Sequence, residues 1–108
     1  PMTYWATDDG IFPAILEIDL NENNIFDRIM IQEPIRFGQL ISRFEIDVIG
    51  SNGWETIFKG TTIGYKRIIR IPPVNTRKIG LRIIKANNTV AISNFGLYQS
   101  SHKEKTTY

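Results

Sequence analysis

The 108-residue sequence contains no cysteine. A disulfide scaffold, a thiolate-ligated zinc site and a cysteine nucleophile are therefore excluded together. It has one histidine, His102, in a polar stretch near the C-terminus. A Ser-His-Asp site needs an imidazole held in place by its surroundings, and such a stretch offers none. No apolar run approaches the roughly 20 residues that a membrane-spanning helix requires. No secretory signal pattern opens the chain; beginning at Pro1, it reads as a piece of a longer protein. Gly60, Gly64 and Gly80 do not form a phosphate-binding loop. An excess of one charge is also lacking. Thirteen Lys and Arg against eleven Asp and Glu leave a net charge of +2, and the basic residues are scattered. Nucleic-acid binders gather theirs on one face or stripe, so nucleic acid is not an expected partner.

What the sequence does have is alternation. Hydrophobic residues make up 42% of the chain and charged residues 22%, a balance that supports one packed domain. In Leu16-Glu17-Ile18-Asp19-Leu20 the apolar side chains fall on one side and the acids on the other. The same period of two runs through Ile29 to Ile31, Phe44 to Val48, Ile79 to Ile83 and Phe95 to Leu97, with Ile68 to Ile71 and Trp54 to Lys59 as less regular strands. Turn signals separate them: Asp9-Gly10, Asn21 to Asn24, Pro34 to Gly38, Ser51-Asn52-Gly53, Pro72-Pro73 and Asn87-Asn88. No window predicts a long helix. The pattern predicts an all-β sandwich over residues 1–99, followed by a tail over 100–108.

If successive strands run antiparallel, their connections alternate between the two ends of the sandwich. Segments 7–13, 34–38, 61–66 and 86–90 then share one end, and the turns near Asn21, Asn52 and Pro73 share the other. The first end is richer in aromatic, basic and amide side chains, among them Phe12, Arg36, Phe37, Tyr65, Lys66, Asn87 and Asn88. Loops held by a rigid scaffold carry binding residues disproportionately, so this end is the candidate site. A sugar ring asks for a flat aromatic face and a few fixed polar groups. Trp5, Phe12, Phe37 and Tyr65 are the candidates for the former; Arg36, Lys66, Asn87 and Asn88 are those for the latter. Asp8, paired with Asp9 before Gly10, reads as an Asx-type turn or as a further polar contact. Trp5 reads as packing, and Trp54, assigned to the opposite end, as structural.

A glycosidase commonly sets two carboxylates across the scissile bond. Glu17, Asp19, Glu45 and Asp47 instead lie on the solvent faces of amphipathic strands, and no catalytic pair is predicted.

Thr3-Tyr4-Trp5-Ala6-Thr7-Asp8-Asp9-Gly10, followed by Leu16 to Leu20, resembles the entry to a factor V/VIII type C, or discoidin-like, domain. Phe26 to Glu33, Gly38-Gln39 and Gly60-Thr61-Thr62-Ile63-Gly64-Tyr65-Lys66-Arg67-Ile68 resemble more particularly the C-terminal module of bacterial α-L-fucosidases. Arg77-Lys78, Leu81 to Ile83 and Ile92 to Tyr98 extend the likeness. The resemblance implies a jelly-roll β-sandwich of the galactose-binding-domain type, related to family 32 carbohydrate-binding modules. Such domains normally begin with a further strand and a calcium-binding loop, which would lie before Pro1. A calcium site would leave only Thr3 and Asn94 in this chain, with Asn94 where the family often has Glu; no other cofactor is implied.

The resemblance further implies a non-catalytic accessory module, because the catalytic Asp and Glu of the fucosidases belong to a separate barrel. The expected partners are a galactose- or fucose-type glycan and that barrel, and the expected location is periplasmic or secreted. A domain that only packs on the barrel and binds nothing is the competing expectation. A sandwich short of its first strand would also present an open edge for self-association.

Overall fold

The structure is a computed structural model, and it describes residues 5–6, 13–34, 41–86, 91–99 and 104–107. Within them are β1 (Trp5–Ala6), β2 (Ala14–Gln32), β3 (Ile41–Gly50), β4 (Gly53–Gly60), β5 (Arg67–Ala86), β6 (Ala91–Ile92), β7 (Asn94–Tyr98) and β8 (Glu104–Thr107). β1 pairs with β6, and the other six form one antiparallel sheet in the order β4-β3-β5-β2-β7-β8. The fold is the expected all-β, jelly-roll type, but two of its strands, β2 and β5, are longer than the turn signals predict.

Asn21 to Asn24 and Pro72-Pro73 do not separate strands. They lie inside β2 and β5, the two longest strands, which pair with each other along most of their length. Asp19 faces Lys78 and Asn24 faces Thr76, so five steps along β2 match two along β5. Phe26 faces Val74 and Arg28 faces Arg70, so two steps along β2 then match four along β5. Extra residues on one strand of a pair bend it and change which face its side chains take. Asn21 absorbs part of the first irregularity in a left-handed conformation (φ 71°), with its N–H donating to Asp19 Oδ1 at 2.8 Å. Asn and Asp tolerate that region better than other non-glycine residues.

The bends divide the sheet into two layers. The first half of β2 and the second half of β5 join β3 and β4; the other halves join β7 and β8. Parity changes at the bend: β2 turns Leu16 and Leu20 inward before it and Ile29 and Ile31 after it. Leu16, Ile46 and Leu81 of the first layer and Ile29, Phe95 and Leu97 of the second belong to one buried cluster. Fully burying an aliphatic side chain of this size contributes about 1.5–3 kcal/mol, so this shared core is what holds the layers together.

The 100–108 segment, read from sequence as a tail, supplies β8, which pairs antiparallel with β7 through Gly96–Thr107, Leu97–Thr106 and Tyr98–Glu104. Backbone pairing at a sheet edge needs no apolar periodicity, so the sequence pattern carries no sign of it. No helix among the described residues is long and apolar enough to cross a membrane.

Candidate functional site

The end of the sandwich that carries the 61–66 loop is organised by a buried acid. Glu33 follows β2 on the inward parity of Ile29 and Ile31 and is 2% exposed. Its Oε1 accepts the N–H of Ile41 at 3.3 Å, and its Oε2 accepts the N–H of Gly64 at 2.8 Å. The Glu33 N–H in turn donates to the Gly64 carbonyl at 3.1 Å. One carboxylate thus joins the exit of β2, the start of β3 and the loop between β4 and β5. Gly64 adopts φ 73°, a region that favours glycine, at the point where the loop meets Glu33.

The rest of the loop is fixed from both sides. Ile63 is buried in the core. The Arg67 guanidinium donates to the Thr62 carbonyl and stands over the rings of Phe44 and Phe58, at 5.6 and 5.4 Å from their centroids. Between these anchors Tyr65 projects outward, 62% exposed, beside the exposed Lys66. A rigid loop that presents a phenol ring and an ammonium group has the chemistry to stack on a sugar face and donate to its hydroxyls.

Of the segments that strand parity assigns to one end, 61–66 is described throughout, and described residues that flank two of the others meet it or its neighbours. Glu33, Ile41 and Gly64 meet through hydrogen bonds, and Ile41 is paired with Ala86. At the other end the Thr76 hydroxyl donates to the Ile49 carbonyl at 2.8 Å, and Thr76 faces Asn24. Of the sequence-predicted site residues, Tyr65 and Lys66 lie together on this loop. Arg36, Phe37, Asn87, Asn88, Asp8 and Thr3 lie outside the described residues. Asn94 is half-buried in β7 opposite Gln32. Among the described residues no three His, Cys, Asp or Glu side chains converge on a metal site.

Sequence reasoning assigned Glu33 no role. The signal was there: an acid on the inward parity of an apolar strand demands partners for its oxygens. Trp54, read as structural, is 45% exposed on the outer face of the first layer and lies over Gly80.

That outer face also carries an ion-pair network, and within it Glu45, assigned from sequence to a solvent face, is buried at 8% exposure because Arg82 packs against it. Arg82 Nε donates to Asp47 Oδ2 at 3.0 Å and Nη2 to Glu45 Oε1 at 2.6 Å. Asp47 also accepts from the Thr56 hydroxyl at 2.6 Å. The hydrogen bond to Asp47 raises the Arg82 pKa above its ordinary value against an opposing effect of burial, and the charges of Asp47 and Glu45 raise it further. These acids are structural neighbours of a guanidinium, not a pair facing each other across a cleft.

A family model described as F5/F8 type C, NedA-like, galactose-binding domain matches residues 1–81. The chain belongs to this family. It is 35% identical over 98 residues to alpha-L-fucosidase 1 of Arabidopsis thaliana, covering 88% of this chain and 19% of the relative. Among solved structures it is similar to a GH29 fucosidase of Ruminococcus gnavus in complex with fucose, with a TM-score of 0.79 and 33% identity over 90% of this chain and 20% of that one. A chitosan-binding module of a Paenibacillus chitosanase/glucanase shares the fold alone, with a TM-score of 0.76 at 18% identity, over 88% of this chain and 76% of that one. The galactose-binding-domain chain thus spans about a fifth of the fucosidases it resembles, and these come from a plant and a bacterium.

Proposed function

We propose that this chain is the non-catalytic carbohydrate-binding module of an α-L-fucosidase, and that it contacts a galactose- or fucose-type glycan through the loop end around Tyr65 and Lys66. The observation that carries this reading is the anchored loop. Glu33, Ile63 and Arg67 hold it from beneath while Tyr65 stays exposed, in a domain of a galactose-binding family. Structure devoted to fixing an exposed aromatic reduces the ordering cost of binding. Arg36, Phe37, Asn87, Asn88 and Asp8 complete the proposed site. A periplasmic or secreted location goes with the reading, because the glycans such a module would serve lie outside the cytoplasm.

A module of this kind binds weakly, with a Kd on the order of millimolar to micromolar, or about −4 to −8 kcal/mol. Titration of the isotopically labelled chain with methyl galactosides and fucosides is expected to move the amides of Gly64, Tyr65 and Lys66 saturably. Tyr65→Ala is expected to weaken binding about tenfold, the loss of one stacking contact. If none of these amides responds to any such sugar, the reading gives way to a domain that only packs on the catalytic barrel.

A further inference from the structure

The outer face of the first layer holds a groove of about 230 Å³, lined by Ile15, Glu17, Asp47, Trp54 and Gly80. Strand register explains its position. Glu17 faces Gly80, Gly80 faces Asp47, and Asp47 faces Thr56, so one row crosses β2, β5, β3 and β4. Gly80 is the gap in that row. Parity points it outward, yet it is buried, because the Trp54 ring lies over it: Cζ3 stands 3.7 Å from the position a Cβ would take. Trp54 keeps 45% of its surface exposed and Ile15 keeps 57%. The groove therefore has an indole wall, an aliphatic wall and carboxylates on its rim.

Those carboxylates are already compensated. Asp47 is held by Arg82 and Thr56, and Glu17 lies 3.9 Å from Lys78 Nζ. A cationic occupant would have to compete with Arg82 for Asp47 and with Lys78 for Glu17. A wholly apolar occupant would strip water from the carboxylates and give nothing back. A neutral ring with one C–H face and hydroxyls around its edge suits both parts. The C–H face packs on the indole, and the hydroxyls donate to lone pairs that the internal partners leave open. The groove lies below the roughly 300–1,000 Å³ of pockets for drug-sized ligands, which limits it to about one ring.

We propose that this groove is a second carbohydrate site, which takes a single neutral pyranose ring stacked on Trp54. It stands apart from the loop end and does not depend on that site being functional.

The test uses the labelled 108-residue chain, titrated with methyl β-galactoside, α-fucoside and β-glucoside, and with methylamine as a cationic control. The Trp54 indole N–H and the Gly80 amide are expected to shift saturably with at least one glycoside and not with methylamine. Gly80→Val, which fills the groove with a residue that suits a strand, is expected to abolish these shifts, and so is Trp54→Ala. Thermal melts of both variants establish that each is folded, so loss through unfolding is recognised. The Gly64 and Tyr65 resonances report the loop end separately, so failure of either site is read without the other. The proposal is overturned if neither Trp54 nor Gly80 responds up to about 100 mM sugar, well above a millimolar Kd. It is equally overturned if methylamine matches the glycosides, or if folded Gly80→Val keeps the shifts. A longer protein that carries this domain and shields Trp54 from acrylamide quenching would also overturn it, in favour of a docking face.

Discussion

At the scale of the residue, Glu33 and Arg82 do the most to hold distant segments together. Replacing Glu33 with Ala would leave the N–H groups of Ile41 and Gly64 without their carboxylate acceptor. Each orphaned buried donor costs about 1–3 kcal/mol, so Glu33→Ala is expected to lose about 2–4 kcal/mol in urea unfolding. Hydrogen exchange should accelerate at Ile41 and Gly64 in particular. Glu33→Gln keeps one acceptor oxygen and should fall between the two. Arg82 is a third exposed, which tempers its worth, and Arg82→Met is expected to cost about 1–3 kcal/mol. Its raised pKa sets the sign of the pH dependence. A basic group whose folded pKa lies above its unfolded one contributes fully below the unfolded value and loses that contribution only as pH rises through the folded one. The Arg82→Met deficit should therefore stay constant between about pH 6 and 10, where neither Arg nor ordinary carboxylates titrate. A deficit that vanishes within that window would mean that Arg82 acts through something other than its charge.

At the scale of the element, the end of β4 shows how closely its neighbours approach. A Cβ on Gly60 would stand 2.6 Å from two atoms of the Phe44 ring and 2.9 Å from Phe58. Both rings also sit beneath Arg67, which limits how far they can retreat. Gly60→Ala is thus an overpacking change, expected to cost about 1–3 kcal/mol. At roughly 4–8 °C per kcal/mol for a domain of this size, calorimetry should show a clear fall in Tm. The loop after β4 starts at this residue, so Tyr65 presentation should suffer with it. The alternation of apolar residues made the strands legible, and Ser51-Asn52-Gly53 was legible as a tight turn, which Gly53 at φ 100° closes. The continuity of β2 and β5 was not legible. Asn21 to Asn24 and Pro72-Pro73 carry the residues of turns that end strands. Here each segment is held as an irregularity by the opposite strand, and that partner lies some fifty positions away in sequence.

At the scale of the whole molecule, β2 and β5 form the axis on which both layers hang, while β4 and β8 are the edges. Local opening is cheapest where strands have one neighbour and few buried contacts. Native-state hydrogen exchange is therefore expected to be slowest at Ile29 to Ile31 and Ile79 to Ile83, near the global unfolding free energy, and fastest along β4 and β8. Uniform protection across both edges would contradict this axis. The candidate site divides along the same line. The exposure of Tyr65 and Lys66 was suggested by their place in a loop beside glycine. The outward placement of Trp54 was not, because it depends on the registers that set β3 against β4 and Gly80 between Asp47 and Glu17.

The sequence by itself determined the all-β class, the buried face of Leu16 to Leu20, Phe44 to Val48 and Ile79 to Ile83, and the family resemblance. These follow from properties carried by neighbouring residues: a period of two, turn chemistry and local motifs. Only the tertiary structure decided that two strands bend to serve both layers, that Glu33 ties three segments with one carboxylate, and that an indole covers a glycine on the outer sheet face. Each of these depends on which distant residue stands opposite, and strand register is fixed by cross-strand pairing and core packing rather than by any local stretch of chain.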